Sequence, residues 1–268
     1  MENIAKRTMN EFFESHPRIQ SIPQQRVMDK MDWYMARRDY AGAERHLLYW
    51  LEEARAGGDG RGELLVLGEL VGHYRKTGEQ DKALARAEEA LALVEALDYG
   101  DSISAGTTFV NVATALNAFG ENARALSLFE RARTLYEKSA ATSPRLLGGL
   151  YNNMALACAA LGRWDEAMAL YGQAEARMSG VPGGALEIAM TCLNVADLIE
   201  KRDGMEAGEA RIYDLMDRAA ALLHGDGFPR DGYYAFVCEK CAPTFDYYGW
   251  FAEAEALREE AGRIYAGT

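Results

Sequence analysis

Residues 151–176 read YNNMALACAALGRWDEAMALYGQAEA. Ahead of Gly162 the apolar side chains recur at spacings of three and four, the period of one face of an α-helix. Beyond it Trp164, Ala167, Tyr171 and Ala174 resume the same period. Glycine reaches positive φ at no steric cost, which suits the tight turn between two helices. The stretch therefore predicts helix, turn, helix. The pattern then repeats outward. Gly78, Gly120, Gly162 and Gly204 stand 42 residues apart, and Gly249 follows 45 further on. Ala83, Ala125 and Ala167 come five residues after their glycines, and Ala90, Ala132 and Ala174 come twelve after. Self-similarity at a fixed period is the signature of a stacked repeat architecture.

The array extends to both ends. Arg38 with Ala43 marks a degenerate first unit, and Gly249 with Ala254 marks a last one. The second helix of the fifth unit, EAGEARIYDLMDRAAALL, is expected to slip by about two residues. Pro144, Pro182 and Pro229 fall between units, where a helix can start but not continue. Pro243 lies inside a predicted helix and is expected to bend it. GGDGRG, from Gly57 to Gly62, reads as the loop between the first and second pairs. Residues 1–22 are read as an N-terminal capping helix and lead-in, with Met1, Ile4, Ala5, Met9, Phe12 and Phe13 on one stripe. An alternative use of that stripe is a dimer contact. Residues 23–268 are read as one solenoid domain, with units at about 23–60, 61–100, 101–142, 143–182, 183–228 and 229–268.

This arrangement resembles tetratricopeptide (TPR) repeats over most of the chain. The residues that carry the likeness are Tyr151, Ala155, Gly162, Trp164, Ala167, Tyr171 and Ala174, an aromatic–small–Gly–aromatic–Ala–Tyr–Ala pattern. The usual TPR period is about 34 residues. A longer period suggests longer helices, as in the kinesin light chain type. HEAT and armadillo repeats have periods near this length, but the small residues around the turn glycine favour TPR. The expected fold is all-α, an α-α superhelix of about six helix pairs.

Composition limits the partners. Lys and Arg total 29 against 41 Asp and Glu, a net charge of −12. So acidic a chain repels phosphate backbones, which disfavours nucleic acid and anionic membranes. No run approaches the length of an apolar membrane span, and the N-terminus carries no apolar signal core. A cytoplasmic location is expected. No HExxH, P-loop, GxSxG or dinucleotide fingerprint occurs, so no enzyme activity and no cofactor is expected. Cys238 and Cys241 form a CxxC without a second pair of ligands. Both fall on core positions of the repeat, so core packing is expected rather than zinc or redox chemistry.

In a solenoid the first helices line the concave side. Counting back from each turn residue selects the side chains that would face it. Asn111, Asn152, Asn153 and Asn194 occupy equivalent places in three consecutive units, with Thr114 among them. An asparagine amide both donates and accepts, so it can bond a peptide's main chain at two atoms. In peptide-binding TPRs, kinesin light chain and the bacterial pheromone receptors included, the resemblance implies that such asparagines hold the peptide. They could instead bridge neighbouring helices. Arg75, Lys76, Lys201 and Arg202 are expected to flank them as anchors for acidic groups. The resulting expectation is a non-catalytic scaffold that binds a protein or peptide in its groove. The alternatives are a self-assembling structural solenoid, with a homodimer through the terminal units, or the peptide-sensing part of a bacterial-type regulator that lacks its own DNA-binding domain.

Overall fold

The computed structural model describes residues 19–100 and 102–267. The cap expected from the apolar stripe at Met1–Phe13 lies outside the described residues. Twelve helices follow in order: α1 Gln24–Ala36, α2 Tyr40–Ala56, α3 Gly60–Thr77, α4 Gln80–Ala96, α5 Ile103–Ala118, α6 Asn122–Lys138, α7 Pro144–Ala160, α8 Trp164–Met178, α9 Gly184–Asp203, α10 Met205–Leu223, α11 Gly232–Tyr247 and α12 Phe251–Ala266. No strand occurs among the described residues. The helices pair as α1/α2, α3/α4, α5/α6, α7/α8, α9/α10 and α11/α12. The fold is thus all-α, with six helix pairs of the TPR-like solenoid type.

One backbone device closes five of the six turns. A residue just past each first helix bonds five residues back: Asp39 N to Tyr34 O at 3.0 Å, Glu79 N to Tyr74 O at 2.8 Å, Glu121 N to Leu116 O at 2.9 Å, Arg163 N to Cys158 O at 2.9 Å and Trp250 N to Phe245 O at 2.8 Å. This bond satisfies a carbonyl that the helix end would leave open, and it requires a left-handed residue just before the donor. Arg38, Gly78, Gly120, Gly162 and Gly249 take that place, all with positive φ. The alanines five residues on, Ala43, Ala83, Ala125, Ala167 and Ala254, are fully buried where the two helices cross.

Gly204 departs from this plan. Its φ of 85° and ψ of 159° form an extended, nearly glycine-only conformation, and α10 starts directly after it. Gly208 then takes the crossing position, four residues past the turn rather than five. A Cβ there would meet Ile199 Cγ2 at 2.6 Å. The expected slip of two residues is therefore one at the crossing.

Contacts group the chain into two units, Met1–Asp98 and Tyr99–Thr268. In the first, α1 packs on α2, α2 on α3 and α3 on α4. The expected GGDGRG loop ends earlier than its glycines suggest, because α3 already begins at Gly60. Asp59 is the reason. It is buried, its Oδ1 accepts from Gly62 N at 3.0 Å, and its Oδ2 accepts from Ile22 N at 2.9 Å. The carboxylate caps the helix and ties the lead-in segment to it. In the second unit, each helix from α5 to α9 packs on its successor, and α11 packs on α12. In addition α5 touches α7, α7 touches α9 and α9 touches α11. The first helices of this unit therefore lie side by side as one layer, the face to which the asparagines belong. Pro243 stands inside α11 as the sequence predicts.

Candidate binding face

The layer built by α5, α7, α9 and α11 carries polar but mostly uncharged side chains between its core positions. Thr114 on α5 donates to Val110 O at 2.8 Å, and its Oγ1 accepts from Asn153 Nδ2 on α7 at 3.5 Å. Asn194 Nδ2 on α9 donates to Asn152 Oδ1 on α7 at 3.3 Å. Three of the four asparagines thus reach across to a neighbouring helix. These bonds are long and use one atom of each amide, which leaves Asn153 Oδ1, Asn194 Oδ1 and Asn152 Nδ2 with capacity to spare. Asn111, one turn before Thr114, is exposed. The structure brings Thr114, Asn152, Asn153 and Asn194 together and leaves Asn111 at the margin.

The bases sit elsewhere. Lys201 is exposed on the last turn of α9. Arg202 beside it is taken up locally: its Nε and Nη2 each donate to Asp203 at 2.7 Å, and Nη1 lies 3.8 Å from Asp165. Arg75 and Lys76 are exposed at the end of α3, in the first unit, where the Lys76 ammonium lies 5.7 Å from the centre of the Tyr40 ring.

Beside the asparagines, a cleft of about 430 Å³ opens over α7, α9 and α11. Asn152 and Asn153 line it together with Gly149, Met178 and Met190. Its charged wall was not foreseen. Arg145 on α7 pairs with Glu187 on α9, and Arg145 Nη2 donates to Pro182 O at 2.8 Å. Tyr233 on α11 donates through its hydroxyl to Glu187 Oε1 at 3.1 Å. Burial pushes the Tyr233 phenol above its ordinary pKa, while Arg145 pulls the other way. Glu187 Oε2 is shut off from water without a hydrogen-bond partner. Arg145 and Glu187 each stand 17 residues ahead of their turn glycine, one helical turn beyond position 13, the furthest that the count back from the turn was carried. Extending the count by four residues would have found them.

The cysteines belong to the interior. Cys238 and Cys241 on α11 pack with Tyr234, Phe245 and Leu257 in the core of the second unit. Desolvation holds both thiols above their usual range, Cys241 at about 12, so neither is poised as a thiolate. A second cleft, of about 520 Å³, lies in the first unit between α1 and α2. Trp33, Tyr49 and Trp50 line it, and Lys30 Nζ stands 3.5 Å over the Trp33 ring. No helix among the described residues is long and apolar enough to cross a membrane.

A family model described as tetratricopeptide repeat matches residues 62–138, from the first turn of α3 to the end of α6. No curated protein matches the sequence. Among solved structures, BtubC (BKLC) from P. vanneervenii is similar, at 18% identity and a TM-score of 0.50, with 92% of each chain covered. The "putative kinesin light chain nearly identical TPR-like repeats" of Podosopora anserina are similar at 19% identity and a TM-score of 0.50. That match covers 75% of this chain and 94% of the other. Identities this low speak for the fold alone. Helix pairing, turn geometry and these likenesses agree on a TPR-like solenoid fold, and residues 62–138 match the tetratricopeptide repeat model itself, a fold that suggests a scaffold for protein interaction.

Proposed function

We propose that the second unit holds an extended segment of a partner protein against α5, α7 and α9, with Asn152, Asn153 and Asn194 bonding its main chain. The observation that carries this is the spare capacity of the amides, on an uncharged face beside an open cleft. Each amide already leans on a neighbour, so its rotamer is set before a peptide arrives and less entropy is lost on binding. Asn111 and Thr114 extend the same row along α5, and Lys201 offers a cation at the end of α9. Arg75 and Lys76 belong to the first unit and Arg202 is engaged by Asp203, so the reading draws on none of the three.

The test starts from a random twelve-residue peptide library panned against the intact chain. The affinity of an enriched peptide is then compared between wild type and Asn152→Ala/Asn153→Ala. Losing two neutral hydrogen bonds at about 0.5–1.5 kcal/mol each should weaken binding about tenfold or more. Helix content and melting should hardly change, since neither side chain belongs to the core. Equal affinity, or a library that enriches nothing, would remove the peptide from this face.

A further inference from the structure

We propose that the cleft between α1 and α2 is the docking site for the start of this same chain, with Met9, Phe12 and Phe13 laid against Trp33 and Trp50. The inference concerns the first unit and does not rest on the peptide-binding reading of the second.

The cleft lies on the side of the first pair that faces away from α3. Glu44 on α2 accepts from the Tyr74 hydroxyl of α3 at 2.9 Å, and Arg55 reaches Glu63 and Glu89. His46 follows Glu44 by two residues, about 200° around the helix, so the lining formed by His46, Tyr49 and Trp50 is turned from α3. A later pair shows what becomes of this side when a helix precedes it. In the fourth pair, α6 packs on α7. Counted from the turn residue, the positions that match Arg26, Lys30, Trp33, His46 and Trp50 are there Leu150, Met154, Ala157, Leu170 and Ala174, all of them buried. In the first pair no described helix precedes α1, and Trp33 is 41% exposed. Two indoles and a cleft of about 520 Å³ thus stand where the repeat elsewhere carries core.

The path of the chain points to the occupant. Ile22 is buried with its N–H held by Asp59, and Gln20 N donates to Gly57 O at 2.9 Å. The Gln20 carbonyl lies so close that a Cβ on Gly57 would stand 2.3 Å from it. Ile19 is therefore fixed where α2 ends and α1 begins, at the Arg26 end of the cleft. From Arg26 to Trp33 the cleft runs along about 10 Å of helix, and the 18 residues ahead of Ile19 reach about 27 Å even when helical. So short a tether holds them at roughly millimolar effective concentration, and modest contacts then suffice.

The chemistry selects among occupants. Met9, Phe12 and Phe13 recur at spacings of three and four, and thioethers and phenyl rings pack favourably on indole. Arg26 and Lys30 border the cleft, with Asp29 as its acid. Residues 1–18 carry Glu2, Glu11 and Glu14 against Lys6, Arg7 and Arg18, so they bring no net charge to these cations. A second copy docked face to face would instead set Arg26 and Lys30 toward their own counterparts across the two-fold axis.

The experiment uses the full chain with Phe12→p-benzoylphenylalanine, as an equal mixture of unlabelled and heavy-isotope-labelled protein, irradiated and digested. Mass spectrometry should find cross-links within one chain, from residue 12 to residues 26–33 or 46–50. Cross-links that join a light chain to a heavy one would identify a second copy as the occupant and overturn the proposal. Cross-links to other helices, or none within the chain, overturn it too. Amide hydrogen exchange of Phe12→Asp/Phe13→Asp against wild type supplies a second readout. Exchange in α1 should quicken about tenfold or more while α7 and α9 stay unchanged. Unchanged exchange in α1 would show that nothing docks there through these rings, which overturns the proposal. Faster exchange in both units would show that the rings support the whole fold and not this cleft, with the same consequence.

Discussion

The first unit presents charge on its first helices where the second presents amides. On α1 and α3 the off-core positions include Asp32, Glu69, Arg75 and Lys76; on α5, α7 and α9 they include Thr114, Asn152, Asn153 and Asn194. The outer sides differ too. Arg55 in the first unit binds Glu63 at 2.8 Å and Glu89 at 2.6 Å, so one guanidinium joins α2, α3 and α4. Yet the same five-residue-back bond closes turns in both. Backbone plan and core period are therefore shared, while positions outside the core carry each unit's own chemistry. A row of charges suits a charged ligand or solvent; an uncharged row of amides suits a peptide main chain.

The largest effect expected from this contrast is at the helix caps. In the first unit Asp59 is buried and serves two backbone donors, whereas in the second Ser143 is exposed and serves one, Leu146 N at 3.3 Å. Asp59→Ala loses the cap and strands the Ile22 N–H, which should cost about 2–4 kcal/mol. Ser143→Ala should cost about 0.5–1 kcal/mol. Urea denaturation of both variants measures the difference, and equal costs would break the comparison.

The turns give the next effect. Gly78 has φ 76° and ψ 16°, a left-handed conformation that asparagine also visits. Gly204 has ψ 159°, where asparagine gains nothing. Gly204→Asn should cost about 1–3 kcal/mol and Gly78→Asn under about 1 kcal/mol. A reversed order in denaturation midpoints would mean that Gly204 relaxes freely, and that the altered start of α10 is not held by its glycine.

Much of this fold was legible because the controlling rules are local. A turn glycine and a crossing alanine act within a few residues of themselves, so their spacing survives as a pattern. Even Arg38, with no glycine to mark it, was placed by the alanine five residues on. In the fifth pair the slip was legible but its size was not, because the conformation of Gly204, unlike its position, leaves no trace in composition. GGDGRG misled for the opposite reason. Its glycines look like loop, but Gly62 is small because a Cβ would stand 2.3 Å from Asp59 Oδ2, inside a helix start. The candidate site was legible where it depends on helical phase, as with Asn152, Asn153 and Asn194. It was not legible where helices from different pairs meet. Glu187 matters because Arg145 lies 42 residues before it and Tyr233 46 after, a meeting that no single helix announces. Arg202 was read as a flank although its partner, Asp203, is the next residue.

The smallest expected effect sharpens the contrast between charge and amide. Glu69 on α3 is half-buried, and its carboxyl is pushed above the usual pKa of 4.5, by burial first and by the negative charge of Asp32 on α1 second. The folded chain therefore holds this proton more tightly than the unfolded chain does. The resulting stabilisation is full below the unfolded value and is lost as pH rises through the folded one. At neutral pH the ionised Glu69 is a burden on the first unit that no amide of the second unit carries. Glu69→Gln removes the ionisation and keeps the shape. The variant and wild type should have equal stability near pH 4, where both side chains are neutral. The variant should then pull ahead as pH rises to 7, by no more than about 1 kcal/mol for a partly solvated group. Asp32→Asn should give part of the same gain, since it removes the second cause and leaves the first. Denaturation curves at several pH values measure both. A difference that shrinks as pH rises would show Glu69 stabilised by a cation, and the charge on the first unit would then be a matched network instead of an uncompensated one.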